Sequence, residues 1–420
     1  MEGPLSTRQQ LTDLWGIRDF RALLLSRIIS NLGNGMAPVA LAFGVLDMPG
    51  GNAGSLSIVT GAHMVPLVAF MLVGGAMADR FGRARLVGTS DIIGSVFVAI
   101  SALSFLTHHP SIPLLAFNGF VFGILNAIWY PAFTGLTPQV VPKDRLQSAN
   151  SLLGLGANLA FTIGSAIAGI VVAAVGSGWA MLVDALSFFI AGSLVFSLRH
   201  LDRLPRDSED ENPGMLSQMK DGWREFSSRF WIVITVVSFA FFHPAFEGFL
   251  AVIAPVQAKE SMGGSRDMGF MLAGWGVGGL LGTLFALRFH VRRPLFLACG
   301  VMPLVSIWIF SLVFPAPLVV CVLAAVLGGI AIDVFYANWL TTLQTHVPEE
   351  SMSRVGAYDA FGSMVLAPVG LFVAGPFTHA VGPRTALLTV GTIALVASLL
   401  PLLSREVRSL ERRDTESAVV

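Results

Sequence analysis

Long apolar runs separated by short polar turns set the rhythm of this chain from Phe20 to Leu403. A bilayer core of ~30 Å takes ~20 residues of helix. Runs of that length fall at 20–46, 53–77, 85–106, 112–137, 146–174, 179–198, 231–257, 267–287, 294–314, 317–343, 352–378 and 384–403. Each predicts a membrane-crossing helix, and together they predict an all-α membrane protein with twelve transmembrane helices. Turns such as Gly176-Ser177-Gly178 and Pro315-Ala316-Pro317 separate neighbours. One long hydrophilic stretch, Arg199 to Arg229, breaks the pattern, with Asp207-Ser208-Glu209-Asp210-Glu211-Asn212-Pro213-Gly214 at its centre. The expected organisation is a six-helix half over 1–198, a central loop over 199–230, a second six-helix half over 231–403 and a tail over 404–420.

The two halves repeat each other. Asp79-Arg80-Phe81-Gly82-Arg83-Ala84-Arg85 aligns with Leu287-Arg288-Phe289-His290-Val291-Arg292-Arg293, 208 positions on (79 to 287). Trp129-Tyr130 through Val141-Pro142 aligns with Phe335-Tyr336 through Val347-Pro348 at nearly the same offset. Duplicated halves are a transporter architecture, with the site at the repeat interface. Leu287 stands where the first copy has Asp79, so only the first loop supplies the acid.

Composition agrees. Only 12% of residues are charged and 54% are apolar, with a mean hydropathy of +0.73, whereas soluble domains carry about 25% charge. The net charge of zero gives no reason to expect nucleic acid. Lys143, Lys220 and Lys259 are the only lysines, an arginine bias that points to a GC-rich bacterial genome. Cys299 and Cys321 lie inside apolar runs as small hydrophobes, and His108-His109 has no acid or cysteine beside it, so no metal and no cofactor is expected. The first apolar run has no small-residue cleavage site after it and reads as a retained helix. Around it, Leu11, Leu14 and Trp15, like Trp223 and Phe226 amid Lys220, Arg224 and Arg229, predict segments lying along the membrane surface.

Basic residues fix the orientation. Arg8, Arg18, Arg21, Arg80, Arg83, Arg85, Lys143, Arg145, Arg288, Arg292, Arg293, Arg354, Arg405, Arg408, Arg412 and Arg413 fall on one side, against Lys259, Arg266 and Arg384 on the other. The positive-inside bias puts both termini in the cytoplasm.

Between the second and third runs stands Gly74-Gly75-Ala76-Met77-Ala78-Asp79-Arg80-Phe81-Gly82-Arg83-Ala84-Arg85. Glycine allows a tight reversal, arginines stay on the cytoplasmic side, and one carboxylate can face a helix N-terminus. Gly75, Asp79, Arg80, Gly82 and Arg83 are read as a gating loop. The stretch resembles the signature loop between helices 2 and 3 of the major facilitator superfamily, roughly G-x-x-x-D-R-x-G-R-x-R. Three further stretches are similar to the branch of enterobactin-type siderophore exporters and macrolide-efflux proteins: Phe20 to Asp47, Tyr130-Pro131-Ala132 through Ala149-Asn150, and Asp184-Ala185-Leu186-Ser187-Phe188.

The resemblance implies alternating access, proton-driven export of a small amphipathic molecule (drug, antibiotic or siderophore-like), and a cavity lined by helices 1, 4, 7 and 10. It also implies a multi-pass protein of a bacterial inner membrane, here expected to act as a monomer whose partners are substrate, protons and lipid. Some positions depart. The helix 5 antiporter signature, ending G-P-x-x-G-G, reads Gly164-Ser165-Ala166-Ile167-Ala168-Gly169; Asn118 replaces a helix 4 arginine common in drug antiporters; and Asn34 stands near where many relatives carry an acid. An importer or a lipid translocator on the same fold is the alternative. No lysine follows a glycine as a phosphate loop requires, and neither D-x-x-x-D clusters nor histidine boxes occur, which argues against an ATPase and against a membrane enzyme.

Ionisable groups within the runs need a reason, since each costs at least ~2.5–3.5 kcal/mol at mid-membrane. They are Arg27, Asp91, Asp184, Glu247, Asp333 and Asp359, with His63 and His243. At 1.5 Å per residue, Arg27, Asp91 and Asp359 lie about 10 Å from the cytoplasmic end, Asp333 about 15 Å and Glu247 about 24 Å. Arg27 and Glu247 are therefore roughly 14 Å apart in depth and do not pair. Asp91, Asp359 and Asp333 stay open as neighbours of Arg27.

On the implied cavity helices, Glu247, Asp333 and Arg27 become the candidate proton-coupling or cavity charges. Asn34, Asn126, Trp129, Asn338 and Trp339, with Asn118 and Tyr130, offer polar and aromatic contacts to a largely apolar ligand. Helix–helix hydrogen bonds and an aromatic belt are the other reading of those residues. Asp184 is expected to make a structural hydrogen bond, Asp91 and Asp359 to be structural, and His63 and His243 to be packing histidines. Glycines crowd helix 5 (Gly154, Gly156, Gly164, Gly169) and helix 8 (Gly269, Gly274, Gly276, Gly278, Gly279, Gly282) and predict close, sliding helix contacts.

Overall fold

The computed structural model describes residues 13–142, 145–203, 222–289, 291–314 and 316–412, with the backbone alone at 71–80, 349–350 and 353. Among them, twelve helices are long and apolar enough to cross a membrane. They are α1 (Arg18–Asp47), α2 (Ala53–Phe81), α3 (Arg83–Leu106), α4 (Ile112–Thr134), α5 (Leu146–Val175) and α6 (Ser177–Ser197). The second set is α7 (Phe230–Ser261), α8 (Ser265–Arg288), α9 (Pro294–Ser311), α10 (Leu318–His346), α11 (Arg354–Val381) and α12 (Pro383–Leu403).

Several helices are broken where the sequence withholds an amide. In α9 the helix stops at Val301 and resumes at Leu304, because Pro303 cannot donate to the ladder. In α11 the break lies between Met364 and Ala367, with Pro368 in the new first turn. In α7 the turn Phe249–Ile253 widens to a π-turn in which the Ala254 N–H bonds back to Phe249 O. Pro255, one residue on, has no N–H to continue the regular ladder.

The chain divides into two compact units: Met1–Arg206 with Gly263–Ala273, and Asp207–Met262 with Gly274–Val420. In the first, α1 packs on α5 and α6, α2 on α4, and α3 on α4 and α6. In the second, α7 packs on α11 and α12, and α9 on α10 and α12. Four of the five pairs of the first unit recur in the second, shifted by six helices, so the sequence repeat is a structural repeat. The α5–α6 and α11–α12 reversals match as well, at Gly176 (φ +91°) and Gly382 (φ +81°).

Glycines allow close helix packing throughout, two of them along α8. A Cβ on Gly269 would lie 2.7 Å from Ser165 O and from Gly169 Cα, so the first turns of α8 rest on α5 within the first unit. Farther along α8, a Cβ on Gly278 would meet Val326 O of α10. Outside the spans, Leu14 is fully buried in a cluster with Phe20, Leu23, Ala84, Phe133 and Leu198, while its neighbour Trp15 is exposed. In the second unit the turn at Gly222–Ser227 lays Phe226 and Trp223 against Tyr358 of α11.

Candidate functional site

The α2–α3 reversal turns on Gly82, whose φ of +86° suits a residue without a Cβ. Arg83 then leaves the turn and donates through Nη1 to Gly135 O at 2.6 Å, tying α3 to the end of α4. The exposed N–H groups at the start of α3 are met by Asp202, which lies past the end of α6: its carboxylate accepts from Ala84 N and Arg85 N, each at 3.0 Å. An acid is favoured there by the helix dipole and by the unmet donors of a first turn. Gly75, Asp79 and Arg80 lie in the last turns of α2, and their side chains are outside the described residues. The second half has a counterpart. Glu411, past α12, pairs with Arg292 Nε at 3.2 Å and Arg293 Nη2 at 3.7 Å in the α8–α9 connection. Asp202 and Glu411 escaped sequence reading because their partners lie more than a hundred positions away; once the repeat was aligned, an acid following the last helix of each half was the available signal.

In the first unit, Arg27 of α1 and Trp129 of α4 come together. The guanidinium lies 5.2 Å from the Trp129 ring centre and 5.0 Å from that of Phe133, and the two rings are stacked at 4.6 Å and 9°. Of the acids open as neighbours of Arg27, Asp91 on α3, 5% exposed, is the one near enough to act on it, after Tyr130. Among the described residues no carboxylate is within ion-pair distance of Arg27 and no protein acceptor takes its N–H groups. Each aromatic face returns ~0.5–2 kcal/mol, against a cost of at least ~2.5–3.5 kcal/mol for a guanidinium at mid-membrane.

Other residues of this unit are engaged in packing. Asn126 Nδ2 lies 3.3 Å from His63 Nε2 across α4 and α2, and Asn118 donates to Ser101 Oγ at 2.8 Å. Asn34 is half-buried on α1. Asp184 differs from expectation: its Oδ1 is sealed from solvent with no hydrogen-bond partner among the described residues. The cause is Gly33, which lets the α1 backbone press so close that an added Cβ would meet Asp184 Oδ1 and Ser187 Oγ.

The second unit holds Glu247 on α7, half-buried and one residue before Gly248 and the π-turn. Among the described residues its carboxylate makes no hydrogen bond and no ion pair. Phe246 beside it stacks on Trp275 (5.2 Å), which in turn contacts Trp308 (5.3 Å). Asp333 on α10 accepts from Thr283 Oγ1 at 3.3 Å. Trp339 is 5% exposed and donates its indole N–H to Asp359 Oδ2 at 2.9 Å. Its indole therefore faces Asp359 on α11. Asn338 donates to Val334 O of its own helix at 2.8 Å. His243 Nδ1 lies 3.0 Å from Ser363 O, a packing contact between α7 and α11. A cavity of about 460 Å³, lined by Trp231, His346, Glu406 and Ser409–Arg412, opens where α7 begins. There Glu406 accepts the Trp231 N–H at 3.1 Å.

Comparisons with known proteins follow the same lines. The multidrug efflux pump Tap of Mycolicibacterium fortuitum is 26% identical over 409 residues, covering 93% of this chain and 96% of that one. The macrolide efflux protein A of Streptococcus pyogenes is 20% identical, covering 94% and 98%. Among solved structures, an auto-inhibited POT family peptide transporter superposes with a TM-score of 0.69 at 14% identity over 95% of this chain and 98% of that one. The nucleoside transporter NupG does so at 0.64 and 12% over 94% and 100%. These structures share the fold. The sequence model of the Major Facilitator Superfamily matches residues 23–370, and with twelve spans in repeated halves the chain belongs to that family of transporters.

Proposed function

We propose that this transporter exports a small amphipathic molecule (a drug, an antibiotic or a siderophore-like compound) from a bacterial cell, driven by the proton gradient through alternating access. Similarity over nearly the full length of both chains to proteins named for multidrug and macrolide efflux supports the direction and the substrate range. The observation that carries the coupling is Glu247, a carboxylate inside a membrane span with no partner among the described residues, beside a π-turn of the kind that recurs at functional sites. An acid so placed can take and release a proton without first breaking a salt bridge. Arginines gathered on the side of the α2–α3 and α8–α9 connections support cytoplasmic termini.

The test is accumulation of a panel of drugs and native metabolites in an efflux-deficient bacterial host expressing the protein. Lower accumulation than in the empty-vector strain, abolished by a protonophore, is expected. Higher accumulation would make it an importer, and protonophore-insensitive export would place the driving force elsewhere.

A further inference from the structure

Arg27 is a permanent cation whose charge the protein leaves only partly answered. A guanidinium cannot shed its proton, and its five N–H donors match the oxygens of a carboxylate, phosphate or sulfonate in a planar fork. Here it is steered by the faces of Trp129 and Phe133, while Asp91 acts on it from beyond ion-pair distance. Ring faces attract the charge yet accept no hydrogen bond of ordinary strength, so the donors remain available. Next to them stands an aromatic shelf, with Trp129 half-buried and stacked on Phe133.

From this geometry we infer that Arg27, Trp129 and Phe133 form a subsite for an anionic group carried on an apolar or aromatic body, so that the transported molecule bears a carboxylate, phosphate or sulfonate. The inference rests on the export reading above and narrows its substrate class. Arg27 makes the charge-assisted hydrogen bonds, and the shelf takes the adjoining apolar surface. The Asn31 side chain, one turn along α1, is occupied with Arg27 O (2.8 Å) and does not compete for the anion.

The test is equilibrium binding of three radiolabelled probes of one shape, 2-naphthoate, 2-naphthamide and 2-naphthylmethylammonium, to the purified full-length protein in phosphatidylcholine nanodiscs. Saturable naphthoate binding, about tenfold tighter than naphthamide, is expected, as one charge-assisted hydrogen bond accounts for such a factor. Arg27→Gln should erase the preference for the anion, weakening naphthoate about tenfold more than naphthamide, and Arg27→Lys should keep part of it. Equal binding of naphthoate and naphthamide, or an anion preference that survives Arg27→Gln, overturns the inference.

A merely structural Arg27–Asp91 couple would instead show as lost thermal stability in Arg27→Gln restored by Asp91→Asn, with no effect on probe choice. If Arg27→Gln does not insert, Arg27→Lys and Trp129→Leu carry the test, each expected to weaken naphthoate more than naphthamide. Displacement of naphthoate by phosphatidylglycerol added to the nanodiscs would assign the subsite to a lipid headgroup and overturn the substrate assignment. Export of a cationic drug at full rate by a protein that binds no anion sinks this inference alone. Arg27-dependent anion binding without gradient-driven efflux of any compound sinks the export reading alone.

Discussion

The Asp202 carboxylate receives the backbone N–H of Ala84 at 3.0 Å, and its other oxygen receives that of Arg85 at the same distance. A residue following α6 thus closes the start of α3, 118 positions earlier. Helix caps of this kind are worth ~1 kcal/mol. Asp202→Ala should lower the thermal midpoint of the purified protein, and Asp202→Asn, which keeps one acceptor, should lower it less. An unchanged midpoint in Asp202→Ala would mean that water replaces the cap without loss.

Asp79 stands in the last turn of α2, one turn ahead of that junction. Its loop, with Gly75, Arg80, Gly82 and Arg83, is the one the sequence marks as gating. Asp79→Asn should then shift the population toward the inward-open state. Labelling of single cysteines placed in the cytoplasmic cavity should speed up, and labelling at the wild-type rate would sink the idea.

Gly33 is a packing position. A Cβ there would meet Ser187 Oγ and Asp184 Oδ1 and lie 3.1 Å from Asp184 Cα, so both side chains must turn away and α6 must give slightly. Overpacking of this kind typically costs ~1–3 kcal/mol. Gly33→Ala should reduce the yield of monodisperse protein in detergent and lower its midpoint, and the added change Ser187→Gly should restore part of both. Wild-type stability in Gly33→Ala would show that the two helices have slack at this point.

These contacts mark where reading the sequence ran out. The spans themselves were legible, because a bilayer demands one long apolar run per crossing: the run at 112–137 became α4 at Ile112–Thr134, and 384–403 became α12. The repeat is legible too, since Arg80 and Arg85 recur as Arg288 and Arg293. What a pattern of apolar residues does not carry is the direction of a polar side chain. For Trp339 the sequence leaves a cavity contact and a helix–helix bond equally open, and in the structure it donates to Asp359. Asp184 looked hydrogen-bonded, yet its Oδ1 is sealed off against α1. The π-turn after Glu247 was hidden because Pro255 reads as a proline near a helix end rather than as a missing donor four residues downstream of Ala251.

The contrast between Glu247 and Asp333 leads to the last prediction. Both acids sit on spans of the second unit, but Asp333 already accepts a hydrogen bond from Thr283 at 3.3 Å, whereas the Glu247 carboxylate has no partner among the described residues. Releasing Asp333 for proton exchange would first break that bond; Glu247 carries no such cost. Glu247→Gln keeps the shape and hydrogen-bonding capacity of the side chain but cannot titrate. We therefore expect Glu247→Gln to insert and fold normally and to lose gradient-driven export, while Asp333→Asn has a smaller or substrate-dependent effect. The measurement is efflux from proteoliposomes with an imposed proton gradient, alongside counterflow of the same substrate without one. Counterflow should persist in Glu247→Gln, because exchange of bound substrate needs no net proton movement. Full gradient-driven export by Glu247→Gln would move the proton site elsewhere, with Asp333 next in line.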